Sequence, residues 1–571
     1  MSNYLEITDL KDMLNKTRKL YGDRPAYKIK VEDGKYKTYT HEDARKMIDS
    51  LGTSLCNMGL KDKRIGVIGE NRFEWEIAYM SIICGTGIAV PLDKSLPENE
   101  LRDLIERSEV EAIFFSGKYL ETMNKIKDSQ NNKLEHLISI DLAEHESGVY
   151  SQIELINSGR KLLEEGNKEF INAQIDSEKM CEMLFTSGTT SKSKVVALSH
   201  KNLCANLMGI VQTLDVNSND RILSFLPLHH VFLCMMGCLL SLYIGSEVDY
   251  CDGMRYIQKN LVEYKTTFAC FVPAIYESMY KNLIKKFEQE GRLGELNELT
   301  KKYKNESDTV KKEVFKEIHE AFGGCIRLFI SGAAPLDKNV EQAFRDWGIN
   351  LCQAYGLTET SPVLCSETKD AYRVGSIGKT IPNVEARIDD ANEDGIGELV
   401  VKGPNIMIGY YGDEKATKEV LEPDGWFHTG DLARIDEDGY VFICGRKKSV
   451  IVLKNGKNIF PEEMEILVNK IEGVKDSFIY GKRQSEDKND IKINVAIVID
   501  REKIKYVYKV EENEEIYNVL KNEIKKINQM MPNYKAIRGV IITETPLIKT
   551  STGKIKRQAN LEVIEKNKLT W

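Results

Sequence analysis

The sequence predicts a two-domain α/β protein, in which a large N-terminal domain of layered α/β subdomains precedes a small, mobile C-terminal α+β domain. Short apolar segments rich in β-branched and aromatic residues alternate with stretches of helical patterning. Strands that alternate with helices imply α/β layers. At 571 residues, of which 42% are hydrophobic, the chain exceeds the usual reach of one core, so two or more domains are expected.

The N-terminal part carries five strand-like segments and one long charged segment. The strands are predicted in RIGVIG near Ile65, EAIFFS near Ile113, RILSFLP near Leu223, TTFACFV near Phe268 and IRLFIS near Phe329. Residues Lys281 to Glu320 are rich in Lys and Glu with apolar residues at helical spacing, which predicts a solvated helical hairpin. The alternative for this segment is a basic amphipathic surface that makes weak peripheral contact with a membrane or presents acyl chains.

The longest apolar run extends from Val231 to Gly245. It is shorter than the roughly 20 residues that cross a bilayer, so we predict a buried core helix.

The character of the chain changes beyond about Gly445. The basic run Arg446 to Lys448 leads into SVIVLKNGKNIFPEEME and then into short strands and charged helices. We therefore predict an N-terminal domain at residues 1–447 and a C-terminal domain at residues 448–571.

Charge and cysteine usage restrict the class of protein. A formal net charge of −8 argues weakly against nucleic acid as a partner. The 12 cysteines include no CxxC pair and several lie in apolar runs, which indicates reduced core residues rather than a zinc site. The N-terminus has no basic region followed by an apolar stretch, so we expect a cytoplasmic protein.

The run FTSGTTSKSKVVALSH, from Phe185 to His200, places hydroxyls, one glycine and lysines between two strand-like segments. Backbone amides and hydroxyls in such a loop can hold phosphate, and Lys194 can add a positive charge. The loop residues concerned are Thr186, Ser187, Gly188, Thr189 and Thr190. The run lacks the Gly-Lys-Ser/Thr arrangement of a Walker P-loop. Composition alone favours a solvated Ser/Thr hairpin, so the rest of the chain must decide.

Four further segments follow this loop in order: QAYGLTETSP from Gln353, GWFHTGDLARIDEDGYVFICGRKK from Gly425, NGKNIFPEEME from Asn455 and PLIKTSTGKIKR from Pro546. Together the five segments resemble the motifs of the AMP-forming adenylating enzymes, which include acyl-CoA synthetases, firefly-type luciferases and peptide-synthetase adenylation domains. The resemblance extends over nearly the whole chain. It implies that a carboxylate attacks the α-phosphate of ATP, releasing pyrophosphate, and that a thiol then captures the acyl adenylate.

The resemblance implies catalytic and metal-binding roles for individual residues. Lys554, on the C-terminal domain, matches the catalytic lysine, whose ammonium can bridge the incoming carboxylate and an α-phosphate oxygen. Glu359 matches the Mg²⁺-binding carboxylate, and Thr186 is a second oxygen contact. Thr358 matches a hydroxyl that reaches the α-phosphate, and His230 matches the usual histidine of the acyl pocket wall.

The resemblance also implies a nucleotide site and a hinge. Tyr355 matches an aromatic side chain that packs on adenine, and Asp431 a carboxylate that accepts hydrogen bonds from both ribose hydroxyls, assisted by Arg446. Lys448 falls at the hinge position, and Gly456 would enter the site for thioester formation. The remaining nucleotide-binding candidates are Gly332, Ala333, Ala334, Gln353, Ala354 and Gly356.

The sequence departs from the family pattern at two places. Ser191, Ser193 and Val195 stand where the family usually has glycine, proline and glycine, which bears on the mobility of the phosphate loop. Ala354 replaces a common glycine and places an extra methyl where the acyl pocket begins, which would trim or reshape the pocket.

The substrate expected from the resemblance is a medium- or long-chain fatty acid. The segment from Leu226 to Leu240, which matches the acyl pocket wall, has no acidic residue to pair with an ammonium, so an amino acid is disfavoured. Its residues Met235 and Met236 suit an alkyl chain or a plain helix core. VPAIYESMYKNL and the charged insertion before SGAAPL resemble long-chain fatty acyl-CoA synthetases.

Coenzyme A is the expected acceptor, because no phosphopantetheine serine region follows Lys554. The alternatives are a free acyl carrier protein as acceptor, an aryl-acid:CoA ligase, and a nucleotide- or acyl-adenylate-binding protein without turnover.

Overall fold

The structure is a computed structural model that describes residues 4–129, 131–186, 193–453, 457–484, 491–549 and 555–566. Within these ranges the chain forms two large sheets that are mostly parallel, an antiparallel four-stranded sheet, and two smaller sheets towards the C-terminus. Helices cover the large sheets. These mixed α/β layers confirm the predicted fold class.

The first large sheet contains three of the predicted strands. Its strands, numbered in chain order and given in spatial order, are β16 (Lys379–Thr380), β15 (Val363–Ser366), β14 (Leu351–Gly356), β13 (Leu328–Ser331), β12 (Phe268–Phe271), β10 (Arg221–Ser224), β11 (Glu247–Tyr250), β1 (Pro25–Glu32) and β2 (Lys35–Thr40). The strands from β14 to β1 run parallel. Their fully buried apolar side chains explain why these segments read as continuous hydrophobic runs in the sequence.

The second large sheet contains the other two predicted strands and both strands that flank the phosphate loop. Its spatial order is β19 (Gly409–Tyr410), β9 (Lys194–Ser199), β8 (Met180–Thr186), β4 (Ile88–Pro91), β3 (Arg64–Ile68), β5 (Ala112–Phe115), β6 (His136–Ser139) and β7 (Val149–Ser151). Since β8 and β9 pair antiparallel with Thr186 opposite Lys194, the loop connects two neighbouring strands.

The helices of the described ranges lie between these strands. They are α1 (Leu10–Tyr21), α2 (His41–Asn57), α3 (Phe73–Ser81), α4 (Glu98–Arg107), α5 (Leu120–Lys127), α6 (Gln152–Glu164), α7 (Glu169–Asn172), α8 (His200–Thr213), α9 (Val231–Leu233), α10 (Leu240–Ile244), α11 (Ile257–Glu263), α12 (Pro273–Gln289), α13 (Leu293–Tyr303), α14 (Asp308–Val314), α15 (Lys316–Ala321), α16 (Lys338–Asp346), α17 (Glu414–Lys418), α18 (Pro461–Val468), α19 (Arg501–Tyr508), α20 (Asn513–Gln529) and α21 (Arg557–Glu565).

Local sequence signals explain where several of these helices start and pack. Capping boxes begin α2, at Thr40 and Asp43, and α8, at Ser199 and Asn202. Helices α2 and α6 approach so closely that a Cβ at Gly159 would lie 1.8 Å from a carbonyl oxygen of α2, and this contact therefore requires glycine.

The apolar run from Val231 forms α9, a π-helical segment Cys234–Leu239 and α10, and its side chains are almost all buried. The prediction of a buried core helix is confirmed. In the part of the chain that the structure describes, no helix combines the length and apolar character needed to cross a membrane.

The predicted helical hairpin at Lys281 to Glu320 is instead a run of four helices, from the end of α12 to α15. Gly291, with φ of +70°, ends the first of them, and the side chain of Ser307 caps α14. Phe287, Phe315 and Ile318 are buried in a hydrophobic cluster formed by strands of the first sheet and the helices that pack on it. The sequence periodicity identified the helices but not these breaks, which depend on a left-handed glycine and a local cap.

The C-terminal third contains three smaller sheets, which are antiparallel except for the parallel pairing of the last two strands. One consists of β17 (Glu385–Asp389), β18 (Gly397–Lys402), β20 (Phe427–Ile435) and β21 (Val441–Arg446); the others contain β22 (Ile451–Val452) with β23 (Asn458–Ile459), and β24 (Val474–Arg483), β25 (Ile491–Ile499) and β26 (Gly539–Thr543). The last sheet packs in a hydrophobic cluster whose buried residues run from Ile451 to Ile542. The domain boundary between residues 447 and 448 stays a prediction.

Candidate active site

The candidate site lies at the carboxyl ends of parallel strands in the first sheet. Gln353 to Gly356 end β14, Gly332 to Ala334 follow β13, and His230 follows β10. These strands run parallel, so their ends meet at one edge, where ligands of open α/β sheets usually bind. A cleft of about 2780 Å³ opens at this edge, and Thr186 and Asp431 also line it.

Within the cleft a buried carboxylate is held by an arginine and a tyrosine. Asp431 is 3% exposed, and its Oδ1 lies 2.8 Å from the Arg446 Nε. The Tyr355 hydroxyl donates to Oδ2 at 2.5 Å, and burial raises the pKa of Tyr355. Asp431 lies opposite Arg446 in the β20–β21 ladder, so strand register brings the pair together. An ionised carboxylate with further lone pairs is suited to accept hydrogen bonds from a diol.

The backbone around Asp431 is fixed by its neighbours. The Thr429 hydroxyl donates to the Leu399 carbonyl at 2.7 Å and accepts from the Asp431 amide at 3.1 Å. The Gly430 amide donates to Glu398 Oε1 at 3.1 Å. Glu398, which the sequence analysis missed, also accepts from Lys447 Nζ at 2.7 Å, beside the predicted hinge at Lys448.

A second group in the same cleft combines hydroxyl, carboxylate and ammonium side chains. Glu359 lies in a 3₁₀ turn, Thr358–Thr360, and its Oε1 accepts from the Tyr410 hydroxyl at 2.9 Å. The Lys194 Nζ lies 4.1 Å from the centre of the Tyr410 ring. Thr186 is the ladder partner of Lys194. The structure therefore brings two predicted site residues, Glu359 and Lys194, into contact with Tyr410, whose role no sequence motif indicated.

These carboxylate, hydroxyl and ammonium groups fit a nucleoside triphosphate with a divalent cation. A hydroxyl and a carboxylate are hard oxygen ligands of the kind that Mg²⁺ prefers, and a lysine ammonium suits phosphate oxygens. The Asp431 carboxylate in the same cleft suits ribose.

Gln353 lines the cleft, but its side chain is engaged in a buried polar network. Its Nε2 donates to Glu341 Oε2 at 2.9 Å and to the Ser376 carbonyl at 2.8 Å, and its amide donates to Glu367 Oε2 at 3.0 Å. Arg345 Nη2 in turn donates to Glu367 at 2.9 Å. Burial, followed by the nearby charge of Glu367, raises the pKa of Glu341. This network fixes the strand that carries Tyr355.

The small residues predicted to bind nucleotide differ in their placement. Ala333, Ala334, Ala354 and Gly356 line the cleft. A Cβ at Gly356 would lie 1.7 Å from the Pro362 carbonyl oxygen, so this turn requires glycine. Gly332 is buried below Phe232, whose ring would lie 2.9 Å from a Cβ at that position. Gly332 is therefore absent from the described lining of the cleft.

The segment predicted to form the acyl pocket wall contributes two neighbouring histidines to the cleft. His230 lines it, as predicted, and so does His229, which the sequence analysis passed over. The His229 Nε2 lies 3.5 Å from Asp93 Oδ1, and burial lowers the pKa of His229. Met235 and Met236 are fully buried in the core, which favours the plain helix-core interpretation of these methionines.

The C-terminal part of the chain faces the same cleft. Lys448 lies in a 3₁₀ turn, Lys447–Ser449, and lines the cleft together with Glu462 and Arg557. Lys470 Nζ lies 2.7 Å from Asp337 Oδ2 across the cleft. Several predicted residues lie outside the described ranges: Ser187, Gly188, Thr189, Thr190, Ser191, Gly456 and Lys554.

Comparisons with protein families identify the class of protein. Residues 14–411 match the model described as AMP-binding enzyme, and residues 448–567 match the AMP-binding enzyme C-terminal domain. The chain belongs to the AMP-binding enzyme family, which confirms the resemblance read from the five motifs.

Curated relatives carry the names of fatty acyl-CoA synthetases. Long chain acyl-CoA synthetase 4 of Arabidopsis thaliana is 28% identical over 487 residues, covering 78% of this chain and 72% of the relative. Fatty acyl-CoA synthetase B of Dictyostelium discoideum is 29% identical over 523 residues, covering 84% of this chain and 76% of the relative.

Solved structures share the fold. The anthranilate CoA ligase AuaEII in complex with anthranoyl-AMP aligns with a TM-score of 0.77 at 18% identity, covering 98% of each chain. ATP-bound MatB from Rhodopseudomonas palustris aligns with a TM-score of 0.73 at 23% identity, covering 96% of this chain and 99% of that chain.

Proposed function

We propose that the protein activates a medium- or long-chain fatty acid with ATP to an acyl adenylate, releasing pyrophosphate, and then transfers the acyl group to coenzyme A. The observation that carries this proposal is that two groups of side chains line the same cleft. Asp431, Arg446 and Tyr355 form a carboxylate-centred anchor, and Glu359 and Lys194 line the same cleft.

ATP would be oriented by this arrangement. The Asp431 carboxylate would accept hydrogen bonds from the ribose hydroxyls while Arg446 and Tyr355 hold it in place. Lys194 would neutralise phosphate charge. Glu359 and Thr186 would hold Mg²⁺, which when bound supplies further neutralisation of the phosphates.

The substrate carboxylate would itself be the nucleophile, so no serine nucleophile is needed. One of its oxygens forms a bond to the α-phosphorus as the bond to the pyrophosphate oxygen breaks. Positioning and charge neutralisation supply the catalysis of such a step. Lys554 and the Thr358 hydroxyl would act on the α-phosphate as negative charge develops there. His230 would lie at the acyl side of the reacting groups.

The second half-reaction would require rotation of the C-terminal domain at Lys448, bringing Gly456 towards the site. The chain directly before this residue is held by the Lys447–Glu398 contact at 2.7 Å, which favours a pivot at Lys448 rather than earlier. The thiol of coenzyme A would then attack the acyl carbonyl and release AMP.

The chemistry of the acyl wall supports a fatty acid. Residues 226–240 contain no acidic side chain, and Asp93 nearby faces His229. A substrate ammonium buried against this wall would therefore be poorly compensated. The relatives named as long-chain acyl-CoA synthetases support the same class. All twelve cysteines are free thiols, which suits the reducing cytoplasm.

Acid-dependent exchange of pyrophosphate into ATP tests this function. We expect exchange with octanoate or palmitate that clearly exceeds exchange with acetate, benzoate and several amino acids. A flat response to this panel would refute the proposal, and a benzoate optimum would favour an aryl-acid ligase. Tight acyl-adenylate binding without AMP production would favour a binding protein.

The acceptor is tested separately with preformed acyl adenylate. Coenzyme A should release AMP faster than a phosphopantetheinylated acyl carrier protein. The reverse order would identify the protein as a carrier-protein ligase.

A further inference from the structure

An arginine outside the five motifs holds the end of the phosphate loop. Arg107, the last residue of α4, donates from Nη1 to the Ser193 carbonyl at 2.8 Å and from Nη2 to the Ser193 hydroxyl at 3.0 Å. Its Nε donates to Asp103 Oδ2 at 2.8 Å. The planar guanidinium therefore engages both oxygens of one residue, and Asp103 orients it.

Ser193 is one of the positions at which this chain departs from the family pattern. Proline, the usual residue there, fixes φ by its ring, whereas serine leaves φ free. The two Arg107 bonds restrain the same residue from outside: one holds the carbonyl and the other the side chain. The Arg107 guanidinium thus restrains Ser193, where the chain lacks the proline that would fix φ.

The restrained residue directly precedes the phosphate-side lysine. Lys194 begins β9 opposite Thr186, and its ammonium lies above the Tyr410 ring. On the other side, Val195 is 5% exposed and pairs with Phe185, so the strand beyond Lys194 is fixed by the core. Without the Arg107 contacts to Ser193, Lys194 would be held only by the strand that follows it.

We propose that Arg107 is a positioning residue for ATP: by holding Ser193, it fixes the phosphate-loop end that presents Lys194. This inference rests on the proposed function in so far as it takes the cleft to bind ATP. Arg107 acts through Ser193 and is not itself among the described lining of the cleft, to which the same helix contributes Asn99, Asp103 and Leu104.

The first test compares Arg107→Ala with the wild-type enzyme in the pyrophosphate exchange assay. We expect the KM for ATP to rise on the order of tenfold, as for the loss of a charge-assisted contact, while the KM for the fatty acid changes by less than about twofold. Arg102→Ala is the matched control, because Arg102 lies on the same helix and pairs with Glu98 at 2.8 Å.

A rescue experiment separates positioning from general stability. In the Arg107→Ala background, Ser193→Pro should recover most of the affinity for ATP, because the ring restores the lost restraint on φ. Ser193 precedes β9, a position that tolerates proline. Ser193→Ala alone should raise the KM for ATP by only about threefold, since the carbonyl contact persists.

Calorimetric ATP binding distinguishes failure of this inference from failure of the proposed function. If wild-type protein lacks acid-dependent exchange but Arg107→Ala still binds ATP about tenfold more weakly, the inference holds and the proposed function fails. Equal ATP affinity of the two proteins would overturn the inference. So would a loss of affinity that Ser193→Pro does not reverse, or an absence of ATP binding by the wild type.

Discussion

Replacing Asp431 by asparagine should weaken ATP binding on the order of a hundredfold without unfolding the protein. Asparagine keeps the size of the side chain but removes its charge and converts one acceptor into a donor. The wild-type carboxylate already accepts from Arg446 and Tyr355, and we propose that it also accepts from both ribose hydroxyls. The substitution thus retains one acceptor for ribose and loses the other.

The expected magnitude follows from the lost contacts. A hydrogen bond to a charged acceptor contributes about 1.5–3 kcal/mol, so losing one ribose bond and weakening the second costs about 3 kcal/mol. At 1.4 kcal/mol for each factor of ten, this corresponds to about a hundredfold. The stability effect is smaller: the Arg446 side chain is 43% exposed, and solvent screening limits the loss of the ion pair to about 1 kcal/mol.

The assay is pyrophosphate exchange with saturating fatty acid and varied ATP, combined with thermal unfolding of each protein. Asp438→Asn is the control, because Asp438 is 66% exposed and pairs with Arg373 at the surface. An unchanged KM for ATP in folded Asp431→Asn would refute the assignment of Asp431 to ribose. A similar loss in both variants would show that general surface charge, not the anchor, governs ATP affinity.

Three further predictions concern the lysine, the metal site and a buried acid. Lys554→Ala should slow adenylation by on the order of 10² to 10³ fold while sparing thioester formation from supplied acyl adenylate, and equal loss of both half-reactions would contradict its proposed role. Tyr410→Phe removes the hydroxyl that donates to Glu359, so the Mg²⁺ concentration for half-maximal exchange should rise about fivefold, and an unchanged requirement would count against a metal site there. Burial raises the pKa of Glu76 from 4.5 to about 7. Between pH 4.5 and 7 the folded protein therefore keeps this proton while the unfolded chain loses it, so the free energy of unfolding of the wild type falls as the pH rises through this range. Glu76→Gln, which can still accept from the Tyr250 hydroxyl, should remove about 3 kcal/mol of this pH dependence between pH 4.5 and 7. If the free energies of unfolding of the two proteins change with pH in parallel, this prediction is refuted.

The sequence alone predicted the parts of the site whose chemistry is local. Resemblance to the family's motifs identified Asp431, Arg446 and Tyr355, and the structure brings their side chains together. The sequence also predicted Thr186, Lys194 and Glu359. Lys194 and Glu359 both contact Tyr410, and Thr186 is the ladder partner of Lys194. The strand segments were also predictable, because parallel strands buried on both faces leave continuous apolar runs in the sequence.

The partners of these residues could not be predicted in the same way. Tyr410 and Glu359 are separated by 51 residues, and Arg107 and Ser193 by 86. Glu398 and Lys447, which precedes the predicted hinge residue, are separated by 49 residues. None of these pairs leaves a local pattern, since each contact depends on which strands become neighbours and in which register.

What the sequence by itself determined was the class of chemistry, because the motifs carry the reacting and binding groups in a recognisable order. The tertiary structure decided how these groups are held: which carboxylate faces Arg446, which ring lies under Lys194, and how Ser193 is restrained without proline. The physical reason is that hydrogen-bonding groups at the ends of strands can meet only after the sheets have fixed strand order and register.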